Sequence, residues 1–213
     1  MIFEQVPSGG DRNFSYLVGE EKTRKGVIVD SSYRPKRILK RVEKHHLEIA
    51  YIINSHSHLD HVAGTDYIRT ETGAKVVMYK EARLPFDTGV DDGQILKVGR
   101  LELKIIYTPG HSQDCICVLV GNKLITGDTL FVGKVGGTGS NEAARAQYES
   151  LHKKILTLDE KVEVYPGHDY GTKVSSTIGY EKENNPFLLQ NSFQEFLHLK
   201  KNWLEYKRIH DIK

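Results

Sequence analysis

The sequence predicts a layered fold of alternating β-strands and α-helices, in the α/β or α+β class. Two observations support this prediction: apolar runs of strand length recur along the 213 residues, and segments with helical periodicity separate them. No internal repeat, low-complexity tract or linker interrupts the chain. We therefore expect a single domain over residues 1–213, in which residues 187–213 form a helical tail.

The predicted strands are short apolar runs bounded by polar or glycine-containing turns. In chain order they are FSYLVG, KGVIVDSS, IAYIIN, AKVVMY, the strand pair in QILKVGRLELKIIYTPG, the strand pair in CICVLVGNKLITGD, and KVEVYPGH. Turns within the two pairs are expected at Gly99 and at Gly121. The segment ARLPFDTGVDDG has no such run and is predicted to be a loop.

The predicted helices carry apolar residues three or four positions apart. They are PKRILKRVEKHHL, AGTDYIRTET, ARAQYESLHKKILTL and the tail from Asn191 to Lys213. In the third helix, Tyr148, Leu151 and Ile155 share one face. In the tail, we expect Trp203 and Leu204 to dock onto the rest of the domain, and a homodimer contact is the alternative role for that face.

Composition argues against several classes of function. The formal net charge of +2 is close to balance and indicates neither a nucleic-acid partner nor a membrane surface. No apolar run approaches the roughly 18 residues of a membrane span, and the first residues lack the features of a signal peptide. Cys115 and Cys117 lie two positions apart on a predicted strand, where a disulfide is disfavoured. We expect buried thiols and a cytoplasmic location.

The residues that can carry chemistry follow the predicted strands. Seven histidines and aspartates come shortly after apolar runs: His56, His58, Asp60, His61, His111, Asp128 and His168. Loops at strand ends gather at one edge of a sheet, so we expect these side chains to converge. Imidazole and carboxylate suit zinc, iron or manganese, and seven ligands are enough for two ions. The other histidines are expected to be solvated on helix surfaces: His45, His46, His152, His198 and His210.

The segments HSHLDH, TPGHS, GDTLF and PGHDYG occur in an order that resembles the metallo-β-lactamase superfamily. The resemblance extends from about Phe3 to Pro186. It implies a four-layer αβ/βα sandwich of the α+β class, with a short C-terminal helix and metals at the edge between two sheets. An aspartate in the position of Asp128 is typical of the glyoxalase II and persulfide dioxygenase branches, which both act on glutathione-linked sulfur compounds.

Resemblance to glyoxalase II implies a binuclear thioesterase. The implied ligands are His56, His58 and His111 for one ion, Asp60, His61 and His168 for the other, and Asp128 as the bridge. A metal-bound hydroxide would attack the thioester carbonyl, and Asp60 and Asp128 would be catalytic through the ions that they hold. Two zinc ions are the expected cofactor, with iron or manganese as alternatives.

Resemblance to the persulfide dioxygenases implies a single Fe(II) on His56, His111 and Asp128, surrounded by the remaining polar residues as hydrogen-bonding groups. The segments YESLHKKILTL and PGHDYGTKVSSTIGYEKENNP are closer to this branch. Hydrolysis of a thioester or related ester is our first hypothesis from the sequence. Oxidation of a glutathione persulfide-like compound is the alternative, and lactone hydrolysis is the third.

The chain departs from both branches after GDTLF, where they carry a Gly-Cys-Gly-Arg/Lys element that helps to bind glutathione. This chain has VGKVGGTGS, which predicts a flexible loop beside the metals and leaves the thiol carrier open. Lys134 in this loop and Tyr170 after PGHD are candidate substrate-binding residues. The expected partner is therefore a small thioester or thiol-derived molecule.

Overall fold

The computed structural model describes residues 1–210, and two six-stranded β-sheets packed between helical layers form its centre. The strands of the first sheet, in spatial order, are β1 (Ile2–Gly9), β2 (Asn13–Gly19), β3 (Lys25–Val29), β4 (Glu48–Ile53), β5 (Lys75–Tyr79) and β6 (Thr88–Val90). The first three strands pair antiparallel, and β3 to β6 pair parallel.

The second sheet is mostly antiparallel. Its strands are β7 (Ile95–Val98), β8 (Leu101–Tyr107), β9 (Ile116–Val120), β10 (Lys123–Gly127), β13 (Glu163–Pro166) and β14 (Ser176–Thr177), in the spatial order β14-β13-β10-β9-β8-β7. Only β10 and β13 pair parallel in it, among the described residues. A two-stranded hairpin, β11 (Leu130–Phe131) and β12 (Lys134–Val135), follows β10.

Helices cover the outer faces of both sheets. They are α1 (Pro35–Lys44), α2 (Leu59–Val62), α3 (Thr65–Thr72), α4 (Asn141–Ser150), which continues as a π-helix (Leu151–Ile155), α5 (Ile178–Asn184), α6 (Phe193–Lys201) and α7 (Trp203–Ile209). Ser192 and Glu195 form a capping box that fixes the start of α6. None of these helices is long and apolar enough to cross a membrane.

Strand alternation divides the apolar residues among three cores. In β2, Tyr16 and Val18 point between the sheets, whereas Leu17 points outward. Ile38 of α1 packs with Leu17 on the outer face of the first sheet. Phe196 of α6 packs on the outer face of the second sheet. The layers are thus helix, sheet, sheet and helix, so the predicted four-layer α+β sandwich is confirmed.

Most predicted elements form, but several expectations are wrong. Strand β1 was not predicted, because Pro7 weakens its strand pattern. The strand lies at the edge of the first sheet, where a proline is tolerated. The predicted loop ARLPFDTGVDDG contains the short strand β6. Trp203 does dock, with its ring 4.8 Å from that of Phe187, but Leu204 is 83% exposed. The end of the predicted tail, residues 211–213, lies outside the described residues.

The side chain of His152 is also placed differently from the prediction. It lies in the π-helix, and its ring centroid is 4.1 Å from that of Tyr148. Its Nε2 atom is buried, so His152 is not a solvated surface group. The expectation for the cysteines is confirmed, because Cys115 and Cys117 are both buried free thiols.

Candidate metal centre

Polar residues follow the strands of both sheets at one edge of the sandwich. His56 and the short helix α2 follow β4, and His111, Asp128 and His168 follow β8, β10 and β13. The seven sequence-predicted residues all converge there, in three overlapping groups whose ligand atoms lie within 4.8 Å of one another. The groups are His56, His58 and His111; His56, His61 and Asp128; and Asp60, His61 and His168.

Asp128 lies between the two outer groups. Its Oδ1 atom is 3.2 Å from Nε2 of His61, and its Oδ2 atom is 3.4 Å from Nε2 of both His111 and His168. A carboxylate with an oxygen facing each group can bridge two ions or serve as a ligand of one. The structure therefore allows both the two-ion site and the one-ion site that the resemblance implies.

The two outer groups differ in exposure. In the first, Nδ1 of His58 lies 2.9 Å from Nε2 of His111, and His58 is exposed at the mouth of the site. In the second, Oδ2 of Asp60 lies 3.2 Å from Nε2 of His168, and the Nε2 atoms of His61 and His168 are 3.2 Å apart. The second group is thus the deeper of the two, since His61 and His168 are both buried.

Four imidazoles are oriented by contacts to their Nδ1 atoms. Nδ1 of His56 lies 3.0 Å from Oγ of Ser55, and Nδ1 of His61 lies 2.7 Å from Oδ2 of Asp30. Nδ1 of His111 and of His168 donate to backbone carbonyls, of Gly137 at 2.8 Å and of Asp11 at 2.7 Å. Each of these contacts leaves Nε2 facing the centre of the site, as a metal-ligating histidine requires.

Asp30 is a site residue that the sequence reasoning missed. It is fully buried, and it accepts hydrogen bonds from the backbone N–H and the hydroxyl of Ser55 at 2.7 and 2.8 Å, besides the contact with His61. Because the Ser55 hydroxyl donates to Asp30, its oxygen can accept from His56. One carboxylate therefore orients two imidazoles. The available signal was its position directly after the apolar run KGVIV, like the other site residues.

Asn13 is a second missed residue. It is buried at the start of β2, and its Nδ2 donates to Oδ2 of Asp60 at 2.9 Å. It also forms an isolated β-bridge with His168. No motif marks it, because an amide that supports a carboxylate has no fixed spacing from it. Asn13 thus holds the Asp60 oxygen that also lies 3.2 Å from Nε2 of His168.

The charges of the site are strongly coupled. Burial lowers the pKa of His56 well below its ordinary value, and burial lowers that of His111 as well. Burial alone would also lower the pKa of His168, but hydrogen bonds to Asp128 and Asp60 raise it to about 9. The lowered pKa values favour the neutral form of His56 and His111, in which an imidazole binds a metal ion.

Two candidate ligand atoms of this site are buried and have no hydrogen-bond partner among the described residues: Nε2 of His56 and Oδ1 of Asp128. An unpaired buried nitrogen or carboxylate oxygen is costly, so such atoms call for a water or an ion. Both atoms are metal ligands by type, and both belong to the group around His61. The residues present therefore fit a metal ion.

Glycines pack closely against this centre. A Cβ atom on Gly167 would lie 2.5 Å from Oδ1 of Asp128, and one on Gly136 would lie 2.0 Å from the carbonyl oxygen of Asp128. Gly136 is buried and follows β12, whereas nothing lies within 4 Å of a Cβ on Gly137. The segment predicted as a flexible loop is thus a hairpin followed by a tightly packed glycine.

The two candidate substrate-binding residues lie beside each other. The ring of Tyr170 stacks on that of His168, with centroids 4.6 Å apart, and its hydroxyl donates to Asp11. Nζ of Lys134 lies 4.5 Å from the Tyr170 centroid, and the guanidinium carbon of Arg12 lies 5.0 Å from it. Burial and repulsion by Lys207 and Arg12 lower the pKa of Lys134. A group of cations thus stands at the mouth of the site, and the sequence reasoning found only Lys134.

Comparison with known proteins is consistent with this geometry. Residues 8–168 match the family model of the metallo-beta-lactamase superfamily. A human protein, "Persulfide dioxygenase ETHE1, mitochondrial", is 30% identical over 197 residues, which cover 89% of this chain and 76% of that protein. "Hydroxyacylglutathione hydrolase" from Pelagibacter ubique is 36% identical over 183 residues, which cover 81% of this chain and 73% of that protein.

Among solved structures, that of ETHE1 from Myxococcus xanthus is similar over nearly its full length. The TM-score is 0.89 at 34% sequence identity, and the match covers 95% of this chain and 91% of that chain. Because 95% of this chain is covered, the similarity extends beyond residue 168, where the match to the family model ends.

Proposed function

The chain belongs to the metallo-β-lactamase superfamily, and from this premise we propose that it is an iron-dependent dioxygenase that oxidises the persulfide of a small thiol carrier. In the proposed reaction, a persulfide, dioxygen and water give a thiol, bisulfite and a proton. The terminal sulfur is oxidised, dioxygen is reduced, and the sulfur–sulfur bond is broken. The proposal places persulfide oxidation ahead of thioester hydrolysis, which was the first hypothesis from the sequence. The reason is that the similarity to ETHE1 extends over nearly the whole of both chains.

The observation that carries the proposal is the position of the two unpartnered ligand atoms. Nε2 of His56 and Oδ1 of Asp128 are unpartnered, and the other oxygen of Asp128, Oδ2, lies 3.4 Å from Nε2 of His111. The three residues that the resemblance implies for one iron ion, two histidines and one carboxylate, therefore adjoin one another. Such a set suits mononuclear iron with open coordination positions. By contrast, Oδ2 of Asp60 already accepts from Asn13 and lies 3.2 Å from His168. Asp60 and His168 can therefore act as hydrogen-bonding groups beside the ion.

Iron held by His56, His111 and Asp128 would supply the redox chemistry that joins dioxygen to sulfur. The protein residues around it would handle charge and protons. His168 holds a proton on Nε2 over the neutral pH range, because Asp128 and Asp60 raise its pKa to about 9. A protonated His168 beside the ion would favour binding of the persulfide as an anion.

The cations at the mouth support an anionic carrier. Lys134 and Arg12 flank the Tyr170 ring, and Lys207 is close enough to repel Lys134. Mutually repelling cations around an entrance attract an anion and are relieved when one binds. We therefore propose that the thiol carrier bears a carboxylate or another acidic group, and that Lys134 and Tyr170 bind it.

Thioester hydrolysis is the second candidate function. The deeper group of Asp60, His61 and His168 is complete and has ligand atoms within 4.8 Å of one another, which a second ion would need. The relative from Pelagibacter ubique, at 36% identity, is named a hydroxyacylglutathione hydrolase. With two zinc ions bound, the same residues would support a hydrolase of the glyoxalase II type.

A location in a reducing compartment such as the cytoplasm is part of the proposal. Both cysteines are buried free thiols, and thiols are kept reduced there. A persulfide substrate also needs a pool of reduced thiols from which to form.

Oxygen uptake decides between the two functions. We expect protein loaded anaerobically with Fe(II) to consume oxygen and release sulfite when glutathione persulfide is added, and His111→Ala to abolish both. His58→Ala should keep most of this activity, because His58 is a ligand only in the binuclear arrangement. The exposed His198 provides the matched control, His198→Ala.

The opposite result would favour hydrolysis. If iron-loaded protein takes up no oxygen, while zinc-loaded protein cleaves S-lactoylglutathione and loses that activity in His58→Ala, the dioxygenase proposal is wrong. Metal content is measured on every preparation, so that a failure to load is not mistaken for a failure to react.

A further inference from the structure

Behind His111 lies a partly buried polar cluster that joins helix α6 to the glycine segment, residues 136–139. Nζ of Lys200 donates to the carbonyl oxygen of Gly136 at 2.8 Å and to Oε1 of Gln147 at 2.6 Å. Nε2 of Gln147 donates to the same carbonyl at 3.1 Å. The carbonyl of Gly136 is therefore held by two side chains, one from α6 and one from α4.

This cluster is one residue away from the contact that orients His111. The carbonyl oxygen of Gly137 accepts the Nδ1 hydrogen of His111 at 2.8 Å. Gly136 has no room to move inward, because even a Cβ atom there would lie 3.0 Å from Nδ1 of His111. A shift of the Gly136 peptide would consequently be transmitted to the Gly137 carbonyl and to the imidazole that it holds.

The ammonium group of Lys200 lies in unusual surroundings for a charged group. Its Nζ contacts a carbonyl and an amide, and it lies 5.3 and 5.8 Å from the ring centroids of Phe196 and Phe187. Burial lowers its pKa to about 7. Even a partly buried ammonium without a carboxylate partner costs stability, and an apolar side chain of similar length would not carry that cost. Stability alone therefore does not account for a lysine here.

We propose that Lys200 is a positioning residue for the metal centre, which fixes the imidazole of His111 through the carbonyls of Gly136 and Gly137. Helix α6 is then part of the support of the metal site as well as of the core beneath the second sheet. The inference rests on His111 as a metal ligand, but not on whether the reaction is an oxidation or a hydrolysis.

Replacement by methionine separates positioning from stability. Lys200→Met keeps the length of the side chain and removes the donor. We expect about tenfold weaker binding of Fe(II) or Zn²⁺ to the metal-stripped full-length protein, in the range seen for the loss of outer hydrogen-bonding partners. We also expect an unchanged or higher Tm for the metal-stripped protein. The control is Lys201→Met, since Lys201 is the next residue of the same helix and is exposed.

A spectroscopic measurement tests the link directly. In the metal-stripped wild type, long-range ¹H–¹⁵N spectra should show His111 as a single tautomer protonated on Nδ1. In Lys200→Met we expect a mixture of tautomers, and no change in Lys201→Met. Neither this measurement nor metal binding involves a substrate, so their outcome is independent of the oxygen-uptake test.

Two results would overturn the proposal. One is wild-type metal affinity together with a single His111 tautomer in Lys200→Met. The other is weaker metal binding by Lys200→Met together with a large fall in its Tm, which would mean that the variant is generally destabilised. If Lys200→Met does not fold, Lys200→Leu provides the second test, because it removes the same donor and leaves Gln147 in place. Wild-type metal binding by a folded Lys200→Leu would then count against the proposal.

Discussion

The Oδ2 atom of Asp30 lies 2.7 Å from Nδ1 of His61, and both side chains are fully buried. The same carboxylate holds Ser55, whose hydroxyl contacts Nδ1 of His56. Asp30 has a φ of +56°, a left-handed conformation that asparagine also tolerates. Asp30 thus supports two of the imidazoles while touching no position that a metal ion would occupy.

For Asp30→Asn we expect metal affinity to fall 10- to 100-fold, because the neutral amide no longer fixes the tautomer of His61. The substitution preserves the left-handed backbone, so the fold should persist. Metal titration with a competing chelator measures the effect, and Asp66→Asn, at an exposed position on α3, is the control. Equal affinity in Asp30→Asn and wild type would mean that His61 is oriented without Asp30.

Two adjacent glycines should respond oppositely to alanine. A Cβ on Gly136 would lie 2.0 Å from the backbone oxygen of Asp128, and backbone cannot yield as a flexible side chain would. We expect Gly136→Ala to destabilise the protein by about 1–3 kcal/mol, in the range for overpacking, and to weaken metal binding. Gly137→Ala meets nothing within 4 Å, and its backbone does not need glycine, so both properties should stay near wild type.

Urea unfolding and metal titration of the two alanine variants test this contrast. If Gly137→Ala is as damaging as Gly136→Ala, the loss comes from backbone flexibility of the segment and not from the close approach to Asp128.

The convergence of the seven candidate ligands could be predicted because metal chemistry restricts both the residue types and their place. Imidazoles and carboxylates after apolar strands are rare without a function, and His111, Asp128 and His168 each follow one. A layered fold could likewise be predicted from the alternation of strands and helices, and the resemblance to the superfamily implied its four layers. These features depend on local patterns, which a single sequence displays.

The supporting residues could not be predicted, because they act across long sequence separations. Asn13 supports Asp60 from 47 positions away, and Lys200 supports Gly136 from 64 positions away. Lys200 looks like a solvated lysine of an amphipathic helix in the sequence, and only the packing of α6 shows it to be partly buried. His152 was misplaced for a similar reason, since the π-helix changes the helical periodicity on which the prediction depended.

Stability should rise with pH through the titration of Lys200. Burial lowers the pKa of Lys200 to about 7 in the folded protein, below its ordinary value of 10.5. Between these values the unfolded chain binds more protons than the folded one, so this group contributes a stability that increases as pH rises from about 7 to 10.5. The slope has an upper limit of about 1.4 kcal/mol per pH unit.

Comparison with Lys200→Met isolates this contribution. We expect the variant to exceed the wild type in free energy of unfolding at pH 7, and the difference to shrink as pH approaches 10. Urea titrations of the metal-stripped proteins at each pH provide the measurement, with Lys201→Met as the reference. A pH-independent difference would show that the pKa of Lys200 is not lowered in the folded protein.

The cations at the mouth should govern substrate affinity more than turnover. Lys134 lies 4.5 Å from the centroid of the Tyr170 ring, and Arg12 lies 5.0 Å from it. We expect Lys134→Met to raise KM about tenfold for a carrier with carboxylates, with a smaller change in kcat, since a charge-assisted contact contributes roughly 1.5 kcal/mol. Added salt should raise KM for the wild type and affect Lys134→Met less.

Lys153→Met, on the exposed side of the π-helix, is the control. An unchanged KM in Lys134→Met would mean that the acidic part of the carrier binds elsewhere.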